Sequence, residues 1–306
     1  MEKKPKILIL LALYNGEKYI YDQIESILEQ KNVDISLLIS DNNSTDNSLQ
    51  IINEFKDEKK IKVIKNKKTK GFAKNFFFLI KNVSNVNSYD YFAIADQDDI
   101  FFLNKYSYMV NYMKDKCIDC CSSALYELKN NSSDRLILQK NNFKKYDYLF
   151  EGGGQGCSFL LNKKSFYCVR KFLISNSNLV KDFYFHDWLI YLITRSKKYK
   201  WFFLNEPLTY YRQHENNNFG SKFSLNGFKD RLKKIRNGWY KKQVIQAFCI
   251  AVTINPEIKK SNTNLLLIKD KNLIQKIILS YTVIRCGRRR FIENMILIYS
   301  ILFGYI

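Results

Sequence analysis

Over the first hundred residues the apolar positions switch between two periods. Ile7–Tyr14 is an unbroken apolar run, as a parallel strand buried on both faces requires. Glu17–Gln30 then sets Ile20, Ile24, Ile27 and Leu28 at helical spacing, giving one stripe to pack on a sheet. Ile35–Ser40 predicts a second strand that runs into Asp41-Asn42-Asn43-Ser44-Thr45-Asp46, a stretch of turn formers and helix caps ahead of a helix over about 46–57. Ile61–Ile64 reads as a short third strand. Gly71 opens a helix carrying Phe76, Phe77, Phe78 and Leu79, and Tyr89–Ala95 forms the fourth strand. Strand and helix alternating at these lengths predict an α/β fold with a mostly parallel central sheet and helices on both faces.

Beyond residue 100 the pattern is less regular. It predicts a helix over Leu103–Lys114, an exposed turn at Asn130–Asp134, a strand at Cys157–Leu161 and helices at Lys163–Leu173 and Trp188–Arg195. Glu151-Gly152-Gly153-Gly154-Gln155-Gly156 holds 4 of the chain's 11 glycines. It matches neither phosphate-loop pattern. It reads either as a loop giving a substrate close backbone access or as a plain tight turn.

The fourth strand ends in Asp96-Gln97-Asp98-Asp99. Carboxylates crowded at the exit of a buried strand raise one another's pKa unless a divalent cation sits among them. Hard cations such as Mn²⁺ and Mg²⁺ take oxygen ligands and bridge carboxylates to phosphates. A solvated acidic turn explains the same residues. Asp41 also follows a strand, and in parallel sheets ligands bind beyond the carboxyl ends of strands. The chain has 2 histidines. His186 starts the segment His186-Asp187-Trp188, and His214 lies in a polar stretch after Tyr211-Arg212-Gln213. A neutral imidazole delivered by such a stretch is a good ligand for a first-row metal. Asp187, at a helix start, reads as a general base or as a cap.

These segments resemble the family 2 glycosyltransferases of the GT-A fold. Alongside Asp41–Asp46 and Asp96–Asp99, the carriers are Ala12-Leu13-Tyr14-Asn15-Gly16-Glu17 and Gly71-Phe72-Ala73-Lys74-Asn75-Phe76. Gly156-Cys157-Ser158, His186-Asp187-Trp188 and Tyr211-Arg212-Gln213-His214-x-x-Asn217-x-x-Gly220 are similar to the bacterial rhamnosyltransferase branch. Leu189 stands where that branch usually carries a second aromatic. The resemblance implies an inverting, metal-dependent transferase using a nucleotide-sugar donor, rhamnose favoured over a UDP-hexose. Its acceptor would be a surface polysaccharide or lipid-linked glycan. Donor contacts would come from Tyr14, Glu17, Asp41, Asn75, Asp96 and Arg212. Asp98 and His214 would hold Mn²⁺ or Mg²⁺, Asp187 would be the catalytic base, and Gly154, Gln155, Gly156, His186 and Trp188 would lie on the acceptor side. The implied organisation is a transferase domain over 1–220, with a nucleotide-binding half over about 1–100 and an acceptor half over 101–220, then a basic helical region over 221–306.

Charge adds one element. The net charge is +21, and residues 221–306 hold 17 Lys/Arg against 4 Asp/Glu. Phe228–Lys242 alternates cations with apolar residues and ends in Trp239 and Tyr240, and Arg285 with Arg288–Arg290 makes a second patch. This pattern predicts an anionic membrane surface as partner, with a solvated basic face or a purely polyanion-binding protein as rivals. No recognised nucleic-acid module is present, which sets that partner class aside. Ile7–Tyr14 is short for a signal core, and no run reaches the roughly 20 apolar residues of a membrane span. The 7 cysteines lack a second zinc-type pair. The expectation is a cytosolic protein with reduced thiols, peripheral on the inner face of the plasma membrane. Nucleotidyl transfer fits less well, because the first strand end offers a single glycine, Gly16.

Overall fold

A computed structural model describes residues 3–55, 59–129, 132–213 and 233–306. The chain groups into two compact units. The first comprises Met1–Gln139, Gly154–Ser177 and Tyr199–Arg212, and the second Lys140–Gly153, Asn178–Lys198 and Gln213–Ile306.

The first unit contains the whole sheet. Its elements are β1 (Lys6–Leu13), α1 (Ile20–Leu28), β2 (Asp34–Asp41), α2 (Ser48–Asn53), β3 (Ile61–Lys65), α3 (Phe72–Lys81), β4 (Tyr91–Ala95), β5 (Ile100–Phe101), α4 (Lys105–Asp115), β6 (Cys120–Lys129), β7 (Ser132–Ile137), β8 (Phe159–Asn162), α5 (Lys163–Ser175) and β9 (Trp201–Arg212). The strand order is β3-β2-β1-β4-β8-β6-β9-β5, with β7 paired to β6. β3, β2, β1 and β4 run parallel, β8 is antiparallel to both neighbours, and β6 and β9 are parallel to each other.

Side-chain alternation along β1 explains why both of its faces are apolar. Ile7, Ile9, Leu11 and Leu13 enter a core with Ile20, Ile24 and Ile27 of α1 and Met109 and Met113 of α4. Leu8 and Leu10 are buried as well, and α3 packs on this strand. On β4, Phe92 stacks on Phe166 of α5 with ring centroids 3.8 Å apart.

Several boundaries differ from expectation. A left-handed residue, Asn85, and a short turn over Val86–Ser88 delay β4 to Tyr91. The second helix shortens to Ser48–Asn53. Of the segment expected as an exposed turn at Asn130–Asp134, residues 132–134 belong to β7, with Ser132 and Ser133 paired to Lys129 and Leu128 of β6, and Asn130 and Asn131 lie outside the described residues. Trp201–Arg212 forms one 12-residue strand despite Pro207, because the ladder to β6 shifts register on either side of Ala124, the partner of that proline.

The second unit is helical. Helix His186–Ser196 packs against helix Trp239–Ile254, and helix Leu273–Cys286 packs against helix Phe291–Leu302. A buried ion network joins its segments. Asp147, fully buried, accepts from Arg289 Nη1 at 3.2 Å, Arg195 Nη2 at 3.3 Å and the Tyr191 hydroxyl at 2.7 Å. Arg289 also donates from Nη2 to the Gly152 carbonyl at 2.8 Å and from its backbone N–H to Glu151 Oε1 at 2.6 Å. Arg288 pairs with Glu293 at 2.9 Å.

This network corrects the reading of Arg288–Arg290 as a surface patch: Arg289 is 4% exposed and spent on internal carboxylates. Trp239 and Tyr240 are half-buried and make contacts within the unit. Trp239 meets Tyr184 and Phe185 edge-on, and the Tyr240 hydroxyl donates to the Phe150 carbonyl at 2.6 Å. The start of the expected basic helix, up to residue 232, lies outside the described residues. Among the described residues, no helix is long and apolar enough to cross a membrane.

Removing one partner of a buried ion cluster strands the charge left behind. Arg289→Met is expected to destabilise the protein by roughly 3–5 kcal/mol in urea unfolding. Arg285→Met, at an exposed position, should stay within about 0.5 kcal/mol of wild type.

Candidate active site

Parallel pairing brings three sequence-predicted segments to one end of the sheet. Leu13 pairs with Asp41 across β1 and β2, and Leu11 with Ala95 across β1 and β4. Tyr14, Asp41 and Asp96 therefore leave adjacent strands side by side. Gln97 fastens two of these exits: its Oε1 accepts from the Tyr14 N–H at 2.8 Å, and its Nε2 donates to the Tyr14 carbonyl at 3.1 Å. A Cβ at Gly16 would meet the end of the Gln97 side chain at 2.9 Å, so a larger residue there would displace this clamp. The Tyr14 ring stays 58% exposed at the strand end.

Asp41 is buried, and its Oδ1 accepts from the Ser44 N–H at 2.9 Å. Glu17 accepts from the Asn47 N–H at 3.0 Å. Asp46 receives the Glu17 N–H and the Ser48 N–H. Burial pushes its carboxyl up, but these bonds and that from the Ser48 hydroxyl outweigh it, and the net shift is downward. Asn75 lies behind the strand ends with both ends of its amide engaged. Its Nδ2 donates to the Ser40 carbonyl at 2.9 Å and the Leu13 carbonyl at 3.4 Å, and its Oδ1 accepts from Ser40 Oγ and Asn66 Nδ2. In this arrangement Asn75 supports the ends of β1 and β2 through the backbone.

The acidic turn divides into an inner and an outer part. Asp99 is fully buried and accepts from the Arg212 N–H at 3.3 Å, while Asp96 and Asp98 are half-buried. Burial, then the neighbouring Asp98 charge, push the Asp99 carboxyl up. Asp96, Asp99 and Cys157 bring their ligand-type atoms within 4.8 Å of one another, and Asp98 belongs to no such group among the described residues. Burial, reinforced by Asp99 and Asp96, raises the Cys157 thiol and keeps it protonated.

The sequence reading missed the cation that balances this cluster. Lys105 is fully buried; its Nζ donates to the Cys157 carbonyl at 2.6 Å and Thr209 Oγ1 at 2.8 Å, and lies 3.3 Å from the Phe101 ring centroid. Burial pulls its pKa down, while Cys157, Asp99 and Asp96 oppose that pull. A signal was present: Lys105, Tyr106, Met109, Val110 and Met113 form the buried stripe of α4, so the helical period alone places a lysine in the core. The inner set holds a protonated thiol and has an ammonium close by, which does not suit a hard divalent cation. The outer oxygen donors, Asp98 and Asp96, do suit one. His214, expected to complete the metal ligands, lies outside the described residues.

Arg212 ends β9. Its Nη2 donates to Asp22 at 3.1 Å and its guanidinium lies 4.4 Å from the Tyr19 ring centroid. The glycine-rich run carries the boundary between the two units, between Gly153 and Gly154. Gly154 has a positive φ of 107° that favours glycine. Gln155 accepts from the backbone N–H and hydroxyl of Ser158, and Gly156 is buried.

Within the second unit, Asp187 is half-buried in the first turn of its helix and accepts from the Trp188 N–H at 2.7 Å. Trp188 is buried, its indole N–H donating to the Tyr148 carbonyl at 2.8 Å and its rings packed near Phe183 and Tyr240. His186 is buried, and burial pulls its pKa down to about 3.

The sequence pattern described as Glycosyl transferase family 2 matches residues 8–174. The chain belongs to glycosyl transferase family 2. Among its relatives, "dTDP-rhamnosyl transferase RfbG" of Shigella flexneri is 38% identical over 237 residues, 76% of this chain and 82% of that protein. "UDP-Glc:alpha-D-GlcNAc-diphosphoundecaprenol beta-1,3-glucosyltransferase WfgD" of Escherichia coli is 31% identical over 169 residues, covering 53% and 64% of the two chains. TarS of S. aureus, solved with UDP-GlcNAc, superposes with a TM-score of 0.54 at 15% identity, over 98% of this chain and 91% of that one. A Pyrobaculum calidifontis mannosyltransferase solved with GDP-Man and Mn²⁺ gives 0.50 at 11% identity, over 98% and 86%. These likenesses show the GT-A fold. The glycosyltransferase assignment replaces the rival of a purely polyanion-binding protein.

The buried His186 gives a pH prediction with a definite sign. Its folded pKa of about 3 lies below the ordinary value of 6.5, so the unfolded chain binds the extra proton. Its contribution is fully present above pH 6.5 and is lost progressively toward pH 3, by up to about 1.4 kcal/mol per pH unit. Denaturant unfolding between pH 7 and 4 should show this slope, and His186→Gln should flatten it.

Proposed function

We propose that this glycosyltransferase moves rhamnose from a deoxythymidine diphosphate donor to a growing polysaccharide or lipid-linked acceptor, with inversion at the anomeric carbon. The observation that carries the donor choice is the relative named as a dTDP-rhamnosyl transferase, similar over three-quarters of this chain. The side-by-side exits of β1, β2 and β4 support a donor pocket at that end of the sheet.

In this reading the exposed Tyr14 and the buried Asp41 face the base, with Glu17 and Asp46 fixing the loop between them. Asp96 takes the sugar side. Asn75 acts through the strand ends it supports. Asp98, with His214, would hold Mn²⁺ or Mg²⁺, which when bound would offset the charge of the leaving diphosphate. Arg212 reaches the same diphosphate by exchanging its pairing with Asp22 for phosphate oxygens, for which a guanidinium is a bidentate partner. Asp187 accepts the proton of the attacking acceptor hydroxyl, and its place in the first turn of a helix keeps the carboxylate form available. Gly154, Gln155 and Gly156 line the acceptor path, while His186 and Trp188 hold the helix start that presents Asp187. The transferase domain extends over 1–220, and the region after it attaches the enzyme peripherally to the membrane surface that presents the acceptor.

A UDP-hexose donor is the second reading, favoured by the relative named for UDP-Glc. Thermal unfolding with a panel of nucleotide sugars and Mn²⁺ separates the two. At 100 times its Kd a ligand adds about 2.7 kcal/mol to stability, so the dTDP-rhamnose midpoint should rise by several degrees and the UDP-hexose midpoint stay put. The reverse pattern overturns the donor assignment.

Asp187→Asn should reduce transfer by at least about 10³-fold while donor-induced stabilisation stays intact. Near wild-type turnover by that variant would remove Asp187 from the mechanism.

A further inference from the structure

Among the described residues, the two last helices carry exposed apolar faces. On helix Leu273–Cys286, Leu273, Ile274, Ile277, Ile278, Tyr281 and Ile284 are exposed, Leu273 and Ile274 by 68% and 69%. These positions follow the helical period, and Leu279 and Val283 on the opposite side are fully buried. On helix Phe291–Leu302, Phe291, Ile292, Met295, Tyr299 and Leu302 are exposed, Ile292 by 75%, and Phe303 follows at 63%. A run of large apolar side chains on one face of two packed helices marks an interaction site, whereas single exposed leucines do not.

Charge selects the occupant. Helix Leu273–Cys286 has no carboxylate and carries Lys276 and Arg285, with Lys269, Asp270 and Lys271 just before it. Helix Phe291–Leu302 has one, Glu293, which is tied to Arg288 at 2.9 Å. Lys271 is pulled down to about 8 by burial, then by the nearby charges of Lys241 and Lys276, so positive charge gathers at this end of the helix. A two-fold contact with a second copy would set these cations against themselves, since Glu293 is already held by Arg288 and Asp270 is one charge against four. An anionic headgroup layer supplies the missing charge, at about 1 kcal/mol per Lys or Arg near the surface. Tyr281, Tyr299, Phe291 and Phe303 add the aromatic side chains that favour the boundary between headgroups and acyl chains.

We propose that helices Leu273–Cys286 and Phe291–Leu302 seat this enzyme on an anionic lipid surface, lying in the plane of the headgroups with their exposed apolar faces inserted. Of the expected basic segments this keeps Arg285 and adds the exposed apolar faces of these helices in place of Arg288 and Arg289, which pair internally. It deepens the proposed peripheral attachment, but neither the donor nor the reaction enters the argument.

The test is flotation of the full chain with phosphatidylcholine vesicles, with and without phosphatidylglycerol. The protein should float with the anionic vesicles, less so with neutral ones, and release as salt shrinks the Debye length from about 10 Å toward 3 Å. Ile277→Ser with Phe291→Ser and Ile292→Ser should lower partitioning at least about tenfold without moving the thermal midpoint, because all three positions are exposed. Lys269→Glu with Arg285→Glu should abolish the preference for anionic vesicles. No flotation by the wild type, or equal flotation by the triple variant, overturns the proposal. So does a concentration-dependent dimer in sedimentation that the same triple variant dissociates, which would give the surface to a second copy. Transfer to a short water-soluble acceptor, assayed in parallel, keeps the two readings apart: flotation without transfer sinks only the proposed reaction, and transfer without flotation sinks only the lipid contact.

Discussion

Negative charge at the exit of a buried strand has to be neutralised before the first unit can close around it. Asp96, Asp98 and Asp99 follow β4 directly, and Asp99 is fully buried. The low dielectric that lets β1, β2 and β4 pack against helices on both faces makes uncompensated carboxylates costly there. The Lys105 ammonium answers part of that cost from inside. Through the Cys157 carbonyl and Thr209 hydroxyl it links the segment before β8 to β9, and its charge acts on Asp96 and Asp99 from the start of α4. Lys105 thus ties together the segments beneath the acidic turn, while Gln97 and Asn75 hold the ends of β1 and β2. The field reaches further: burial, then Asp96, Asp99, Cys157 and Asp98, drive the Tyr211 hydroxyl well above its usual range.

What was legible in the sequence follows from range. The alternation over residues 7–95 gave β1 to β4 and the helices between them because each period is local, and binary pattern fixes which face is buried. The positions of Tyr14, Asp41 and Asp96 at strand ends were legible for the same reason, since each lies within a few residues of an apolar run. Strands β6 and β7 were not legible. Cys120–Lys129 mixes Ser122, Ser123 and Glu127 into its pattern, and its burial comes from partners as distant as Trp201 and Leu161. Lys105 was half-legible: the period put it in the core, but only the folded sheet brings Cys157 and Thr209 to it. Asn75 and Trp188 were noticed as motif residues, yet their bonds, to Ser40, Asn66 and Tyr148, are set by folding and are made inside the protein.

The basic C-terminal region was misread in part because a sequence count treats every arginine as surface. Burying a guanidinium requires carboxylates, and here they come from far upstream: Asp147 and Glu151 receive Arg289, and Asp147 also receives Arg195. No short-range pattern pairs residues about 140 positions apart. Tyr191 belongs to the same cluster, its hydroxyl donating to Asp147. The network therefore fixes the helix that starts at His186, and with it the turn that presents Asp187.

Internal pairing also changes what the outside of the second unit offers. Asp147, Glu151 and Glu293 are consumed by Arg195, Arg288 and Arg289, and the exposed Glu257 is spent on Lys260. Residues 233–306 carry 14 Lys/Arg and only 3 Asp/Glu, two of which are those paired carboxylates. The third, Asp270, acts on Lys271, and the remaining positive charge of Lys241, Lys269, Lys276 and Arg285 finds its counter-charge in salt or in a partner. Set beside uncovered isoleucines and aromatics, these cations suit a partner that brings both negative charge and an apolar interior. Among common partners a lipid headgroup layer provides the two together, at the depth the exposed faces of these helices could reach.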